Sequence, residues 1–293
     1  MLDRRFVVLA PAALAASRAQ AADMLKVLVA RPDDAEIAAL EQKYGGRLGV
    51  AAYDAHSRKS MVHRAGERFA MCSTFKLLLV AATLHRVETG DEHLAREVPF
   101  TQADLLEHSP ITAAHVAEGK LTVEQLCEAA ITQSDNCAAN LLINALHGPD
   151  SVTVYATSLG DDTTHLDRME LDLNHVGPGD ERDTTTPSAM LHDLEMIFLG
   201  QVLSDASRAR LTAWVRGAQN GLKRLRAGLP ADWIVGDKAG TGPASETNDI
   251  AIAWRPKRAP VLITAYYAGS SAPFDVRETV LAEVGRIVAK RFS

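Results

Sequence analysis

The chain has 293 residues, enough for one large domain or two lobes sharing a substantial core. Its 31 basic and 37 acidic residues are interspersed and leave a net charge of −6, which argues against a nucleic-acid footprint or a polybasic membrane patch. There is no low-complexity tract and no repeat at a fixed period, so fibrous, disordered and solenoid classes drop out.

The first segment reads as a targeting sequence. "MLDRR" is a short basic stretch, "FVVLAPAALAA" an apolar run, and Ala19-Gln20-Ala21 an A-x-A cleavage site. The apolar run is shorter than the roughly 20 residues that span a bilayer. A signal peptide over 1–21 is therefore predicted, with the mature chain starting near Ala22 and exported to the periplasm or the medium, free of the membrane after processing. Arg4-Arg5 leaves both the general and the twin-arginine routes open.

"DDAEIAALEQKYGG" then predicts a helix with acidic residues at its start and Gly45 as its stop. "RLGVAAYDA" and "KSMVHR" predict two strands joined by "HSR". From Ser73 to about Trp214 the apolar period is helical almost throughout. Thr122 and Gln125 form a capping box, and Pro187 opens another helix that Gly200 closes. After Gly221, "ADWIVGDKAG", "TNDIAIAWR" and "PVLITAYYAG" predict a three-strand meander, followed by a helix over "FDVRETVLAEVGRIVAKRF" with Val276, Val280, Val284, Ile287 and Val288 on one stripe. Strands at both chain ends around a helical block imply an α+β fold. One antiparallel sheet is flanked by terminal helices and carries an inserted helical lobe, with a cleft between lobes.

"DRMELDLNHVGPGDERDTTTP" breaks this rhythm, and a loop so long is either functional or disordered. The three cysteines, Cys72, Cys127 and Cys137, sit in apolar contexts and read as small packed hydrophobes. The ten histidines show no pairing at metal-ligand spacing, so no metal is expected.

Four short motifs carry the chemistry. In "FAMCSTFKLLLV", Ser73 could cap a helix or act as a nucleophile, and Lys76 could snorkel to water or serve the serine one turn away. Ser134-Asp135-Asn136 is an ordinary helix start taken alone. So is Glu170 with Asn174 an ordinary loop pair, and Lys238-Ala239-Gly240 an ordinary edge strand.

In this order and on these elements, the motifs resemble the class A serine β-lactamases, over essentially the whole mature chain. "SDN", "ERDTT" and "TNDIA" read much as they do in that family. The resemblance implies a five-stranded sheet lobe built from 22–64 and 217–293, an all-helical lobe over 65–216 and an Ω-type loop near 165–183. It also implies a monomer that needs no cofactor and takes small-molecule β-lactams, with no nucleic-acid partner. By the resemblance Ser73 is the nucleophile, Lys76 or Glu170 the acylation base, and Ser134 the proton donor to the leaving nitrogen beside Lys238. The Ser73 and Thr241 amides next to Gly240 form the oxyanion hole, Asn136 holds the substrate's side-chain amide, and Glu170 with Asn174 grips the deacylating water. Arg168 and Asp183 pair across the loop base, and Arg224 reaches the substrate carboxylate. Cell-wall D-alanyl-D-alanine peptidases and penicillin-sensing domains share the other motifs but lack the glutamate.

Three departures from the family stand out. Ala239 replaces a hydroxyl residue that would hydrogen-bond the substrate carboxylate. His108 stands where an aromatic ring usually forms the cleft wall. The family's disulfide partners, near Val80 for Cys127 and at Gly242 for Cys72, are absent, which implies no disulfide and poor carbapenem hydrolysis.

Overall fold

The structure is a computed structural model that describes residues 28–293. The predicted signal peptide, 1–21, lies outside the described residues.

Capping fixes where the helices begin. In α1 (Ala35–Tyr44) the Asp34 carboxylate accepts the N–H groups of Glu36 and Ile37, and the chain leaves through Gly45 at positive φ. Strands β1 (Arg47–Asp54) and β2 (Lys59–His63) follow, then the two-residue β3 (Phe69–Ala70) and a 3₁₀ turn, Cys72–Thr74, that runs into α2 (Phe75–Thr89). Next come β4 (Glu97–Pro99), α3 (Pro110–Ala114), β5 (Lys120–Thr122), α4 (Val123–Thr132), α5 (Asn136–Ala145) and α6 (Asp150–Leu159). The Thr122–Gln125 capping box of α4 is formed in both directions. Beyond the long loop lie β6 (Thr184–Thr185), α7 (Pro187–Phe198), α8 (Asp205–Arg216) and α9 (Leu225–Gly228). Thr186 caps α7 ahead of Pro187, and Gly200 N–H donates to Glu195 O at its end. The chain closes with β7 (Ile234–Thr241), β8 (Thr247–Trp254), β9 (Val261–Ala268) and α10 (Phe274–Phe292).

The main sheet runs β2-β1-β9-β8-β7 with antiparallel pairing throughout, so the two chain ends meet where β1 pairs with β9. Its strands are buried on both faces, and the period-two alternation sorts them into two cores. Leu48, Val50, Ile263, Ala265 and Tyr267 face α1, α9 and α10, where Ile37, Leu225, Val280 and Val284 meet them. Ala51, Ile250, Ile252, Leu262 and Tyr266 turn to the other face, packed with α7 and the helical lobe. Each of the larger aliphatic side chains among them contributes roughly 1.5–3 kcal/mol by leaving water. Gly49 shows how tightly that second face closes: a Cβ there would overlap the Phe69 ring and come within 2.8 Å of Pro187 Cγ.

α2 is apolar on every side, and Phe75 to Leu84 are all buried, as the central helix of a lobe must be. The span expected to be all-helical also contains two short ladders, β3 with β6 and β4 with β5, whose two- and three-residue strands leave no periodicity to read.

Candidate active site

β3 delivers the chain to a strained turn. Cys72 adopts φ 45°, a left-handed conformation that costs energy without glycine and persists only where neighbours enforce it. The enforcing contacts come from three directions. Met71 N–H donates to Asp183 O (3.0 Å), Asn248 Nδ2 on β8 donates to the carbonyls of Ala70 and Met71 (2.9 and 3.2 Å), and Thr74 Oγ1 donates to Met71 O (2.8 Å). The turn leaves Ser73 half-buried on the wall of a cleft of about 550 Å³ that Ser134, Asn136, Glu170 and Asn174 also line. Cys72 is fully enclosed, and burial pushes its thiol well above the usual cysteine range, with the Glu246 and Glu170 charges adding to it. The hydroxyl is therefore the accessible group of the pair.

Lys76 points inward from the first turn of α2 and is wholly buried. Its ammonium donates to Ser134 O (2.8 Å) and Asn136 Oδ1 (2.5 Å) and stands 3.0 Å from Glu170 Oε1. In this arrangement the Lys76 ammonium hydrogen-bonds Ser134 and Asn136 rather than the serine oxygen that the sequence reading assigned it, with Glu170 as its ionic neighbour. Burial lowers its pKa and outweighs the opposing pull of the Glu170 carboxylate.

Ser134 also sits at positive φ, 57°. Its Oγ accepts from Lys238 Nζ at 3.0 Å, while Lys76 Nζ lies 3.5 Å away. Lys238, on β7, donates to Ala239 O as well (2.8 Å). Burial carries its pKa well below the lysine range, and the neighbouring Lys76 charge pushes the same way. Asn136 Nδ2 donates to Glu107 O (2.8 Å), which leaves its Oδ1 for Lys76. Between these two residues, Asp135 is fully buried and organises the wall. It caps α5 through Ala138 N and accepts the N–H groups of Ile111 and Thr112. His108 reaches that wall at φ 58°, with Nε2 2.9 Å from Gln133 O.

Glu170 is fixed from two sides. Asn174 Nδ2 donates to Oε2 (2.8 Å), and Asn140 clamps its backbone by accepting Glu170 N–H and donating to Glu170 O, both at 2.9 Å. Asn174 Oδ1 is buried without a protein partner. Asn140 escaped the sequence reading, and Asp135 is named there in its motif without a role. Asn140 lies one turn beyond Asn136 on α5, the only signal that it shares the cleft-facing side. Across the loop base, Asp183 accepts Arg168 Nε on one oxygen, with the N–H groups of Asp167 (2.8 Å) and Arg168 (3.0 Å) on the other.

On the opposite wall, Gly240 lets β7 press on the serine turn. A Cβ there would stand 2.8 Å from Met71 O and 3.2 Å from Ser73 N. Gly242 N–H donates to Glu246 O, so the antiparallel pattern turns the Thr241 N–H to the open edge, toward Ser73. Arg224 is not on the cleft wall. It is buried behind β7, bonds the carbonyls of Gly240 and Asn248 (2.7 Å each), pairs with Glu278 (3.3 Å), and meets the cleft only through Thr241 Oγ1 (2.7 Å). The three thiols are separate and buried. Among the described residues no helix is long and apolar enough to cross a membrane.

Comparison with known proteins agrees with this geometry. The sequence model of the "Beta-lactamase enzyme family" matches residues 33–292. β-Lactamase CTX-M-8 of Citrobacter amalonaticus is 44% identical over 263 residues, covering 89% of this chain and 90% of that protein. β-Lactamase AST-1 of Nocardia asteroides is 43% identical over 295 residues, covering 97% and 94%. Among solved structures, an ancestral (GNCA) class A β-lactamase superposes with a TM-score of 0.86 at 52% identity, covering 88% of this chain and 98% of that one.

Proposed function

The chain belongs to the class A serine β-lactamase family, and from that premise we propose that it is an exported hydrolase acting on β-lactam rings through an acyl-enzyme on Ser73. The observation that carries the reading is Glu170, 3.0 Å from the lysine that serves the Ser134 side of the cleft and lining the same cavity as Ser73. A serine ester alone gives a trapped enzyme; a carboxylate beside it gives turnover.

In acylation Ser73 Oγ attacks the lactam carbonyl and loses its proton. Lys76 donates to Ser134 O and Asn136 Oδ1 and stands 3.0 Å from Glu170 Oε1, so as an ammonium it becomes a base only once a proton has moved to Glu170. Whether the carboxylate acts directly or by first unloading Lys76, the serine proton leads to Glu170. The developing oxyanion lies between the amides of Ser73 and Thr241, where each donor is worth on the order of 3 kcal/mol. As the C–N bond breaks, Ser134 passes its proton to the ring nitrogen, and the proton held by Glu170 returns through Lys76 to Ser134 Oγ, so that Glu170 is again a carboxylate; the Lys238 hydrogen bond steadies the Ser134 oxygen during the transfer. In deacylation a water donating to the Glu170 carboxylate and to Asn174 Oδ1 attacks the ester carbonyl and gives its proton to Glu170; as the C–O bond to Ser73 breaks, that proton passes to Ser73 Oγ, leaving the open-ring acid as product and Glu170 ionised again.

The test mixes purified mature protein with a chromogenic cephalosporin while intact mass is recorded, beside Ser73→Ala and Glu170→Ala. Sustained turnover lost in Ser73→Ala, with an adduct accumulating in Glu170→Ala, is the expected outcome. A single stoichiometric burst and a long-lived adduct on the wild type would overturn it in favour of a peptidase or sensor.

A further inference from the structure

A second cavity, of about 870 Å³, opens where the tip of the long loop faces the turn between β7 and β8. It adjoins the catalytic cleft at consecutive residues: His175 and Pro243 line the cleft, Val176 and Ala244 the second cavity. None of the candidate catalytic residues lines it, and its volume falls in the range of small-molecule sites. Its charged lining is acidic on balance, with Arg47 and Arg68 against Glu67, Asp180, Glu181 and Glu246. Three of these acids already have cations. Glu67 holds Arg64 (2.7 Å) and Arg47 (3.1 Å), Asp180 holds Arg182 (2.9 Å), and Glu181 meets Arg68 at 3.4 Å.

Glu246 is the exception. It is 6% exposed and has no ion-pair partner among the described residues. The turn fixes it in place: Gly242 N–H donates to Glu246 O (3.1 Å), and Oε2 accepts Ala244 N–H (2.9 Å). Oε2 also covers Gly242, where a Cβ would overlap it. The other oxygen has no protein partner among the described residues and is not one of the sealed polar atoms, so it opens toward the cavity. A carboxylate so enclosed, half-bonded and without a counter-charge, is costly, and a docked cation relieves that cost.

The same geometry limits the kind of cation. A hard divalent ion takes about six to eight oxygens, and no group of three or more metal-capable side chains occurs among the described residues. An ammonium or guanidinium is satisfied by one carboxylate through a charge-assisted hydrogen bond. We propose that this cavity is a second binding site, for an organic cation bearing a primary ammonium or a guanidinium, with Glu246 as its anchoring anion. The cation is either a free amine or the charged end of a long acyl side chain carried by the substrate. Free-amine binding goes beyond the hydrolase reading; only the substrate-borne case rests on it.

Two-dimensional amide NMR of the mature protein titrated with cadaverine, with neutral pentanediol as control, tests the site. Cadaverine should move the Ala244 and Gly177 amides saturably, and pentanediol should not. Glu246→Gln keeps an oxygen for Ala244 N–H and should weaken cadaverine binding by about tenfold or more, the loss expected for a hydrogen bond to a charged group. Glu181→Gln removes a carboxylate that is 69% exposed and should weaken it by less than about fivefold. No saturable shift at these amides in the wild type, or equal losses in the two variants, would overturn the assignment. A chromogenic cephalosporin whose long acyl chain ends in a primary amine, compared with its N-acetyl form, identifies the source. A KM about tenfold lower for the amine, equalised by Glu246→Gln with kcat unchanged, supports the substrate-borne cation. Equal KM values beside saturable cadaverine binding support the free amine. Cadaverine binding without turnover of either cephalosporin would sink the hydrolase reading and leave the site standing.

Discussion

In the proposed mechanism Asp183 joins the two halves of the cycle, which makes Asp183→Asn the most informative single change. Its carbonyl accepts from Met71 N–H under the serine turn, while its side chain, fully buried, ties down the loop that carries Glu170. Asparagine can keep an oxygen toward the Asp167 and Arg168 N–H groups. It must then set an NH₂ against Arg168 Nε–H, donor to donor. Breaking a buried ion pair costs about 3–5 kcal/mol when the remaining charge is stranded. Arg168 is not stranded, because its side chain is 20% exposed and still donates to His175 O at 3.0 Å. The loss should therefore approach that of one charge-assisted hydrogen bond, about 2 kcal/mol. Because the bond belongs to the loop, most of this should appear as misplacement of Glu170, a fall in deacylation of roughly 30-fold at 1.36 kcal/mol per decade. The backbone carbonyl under Met71 is untouched, so acylation should change far less. Quenched-flow mass spectrometry separates the two rates by the steady-state fraction of acyl adduct. Unchanged deacylation, or a loss that falls on acylation instead, would refute the reasoning.

Two further expectations follow from close packing and from burial. Gly240→Ala forces β7 away from Met71 O and Ser73 N, so acylation should fall by about 10²–10³ as one oxyanion donor is displaced; circular dichroism should show the fold intact, and wild-type acylation rates would refute the link. Asp193 on α7 is fully buried with both carboxylate oxygens unpartnered, and burial together with the adjacent Asp161 charge raises its pKa well above the carboxylate range. Its contribution to stability is thus complete below about pH 4, where the unfolded chain also binds the proton, and is lost as pH rises toward the folded value. Asp193→Asn mimics the protonated form, so it should leave Tm unchanged near pH 4 and raise it at pH 7, by about 2–4 °C per kcal/mol; an equal difference at both pH values would refute this.

The sequence discloses what local rules enforce. Helix starts at Asp34, Thr122 and Thr186 are written in side chains that cap their own backbone, and the alternation along β8 and β9 is visible because each face meets a different core. That Ser73, Lys76, Ser134, Glu170 and Lys238 belong to one site is legible only through the resemblance of their motifs to the family, and the fold sets them around one cleft. Hidden from that reading are features imposed by tertiary contact. Cys72, His108, Ser134 and Asp183 all take positive φ, yet none is a glycine, so nothing local marks them. Asn140 meets Glu170 from 30 positions away, a distance at which spacing carries no information. The family resemblance places Arg224 at the substrate carboxylate, but which side of β7 it occupies depends on tertiary contact. The packing of Glu278 on α10 decides that, drawing the guanidinium behind the sheet.

The charges of the site explain why such concealed residues matter. Lys76 and Lys238 are both buried and both approach Ser134, but only Lys76 has a carboxylate against it. Behind β7, Asp237 and Asp249 are poor counter-charges for Lys238, since burial raises the pKa of each. Arg224 adds a further cation on the same side, and its coulombic effect also depresses Lys238. Lys238 is consequently the lysine that burial drives furthest toward the neutral amine. An anion docking beside it would raise the pKa that burial has lowered and so favour the ammonium that hydrogen-bonds Ser134 Oγ. Under the proposed reading, the substrate's own carboxylate completes the electrostatics of the site. Thr241, whose hydroxyl Arg224 holds from behind the strand, would thereby act on the chemistry as well as on binding.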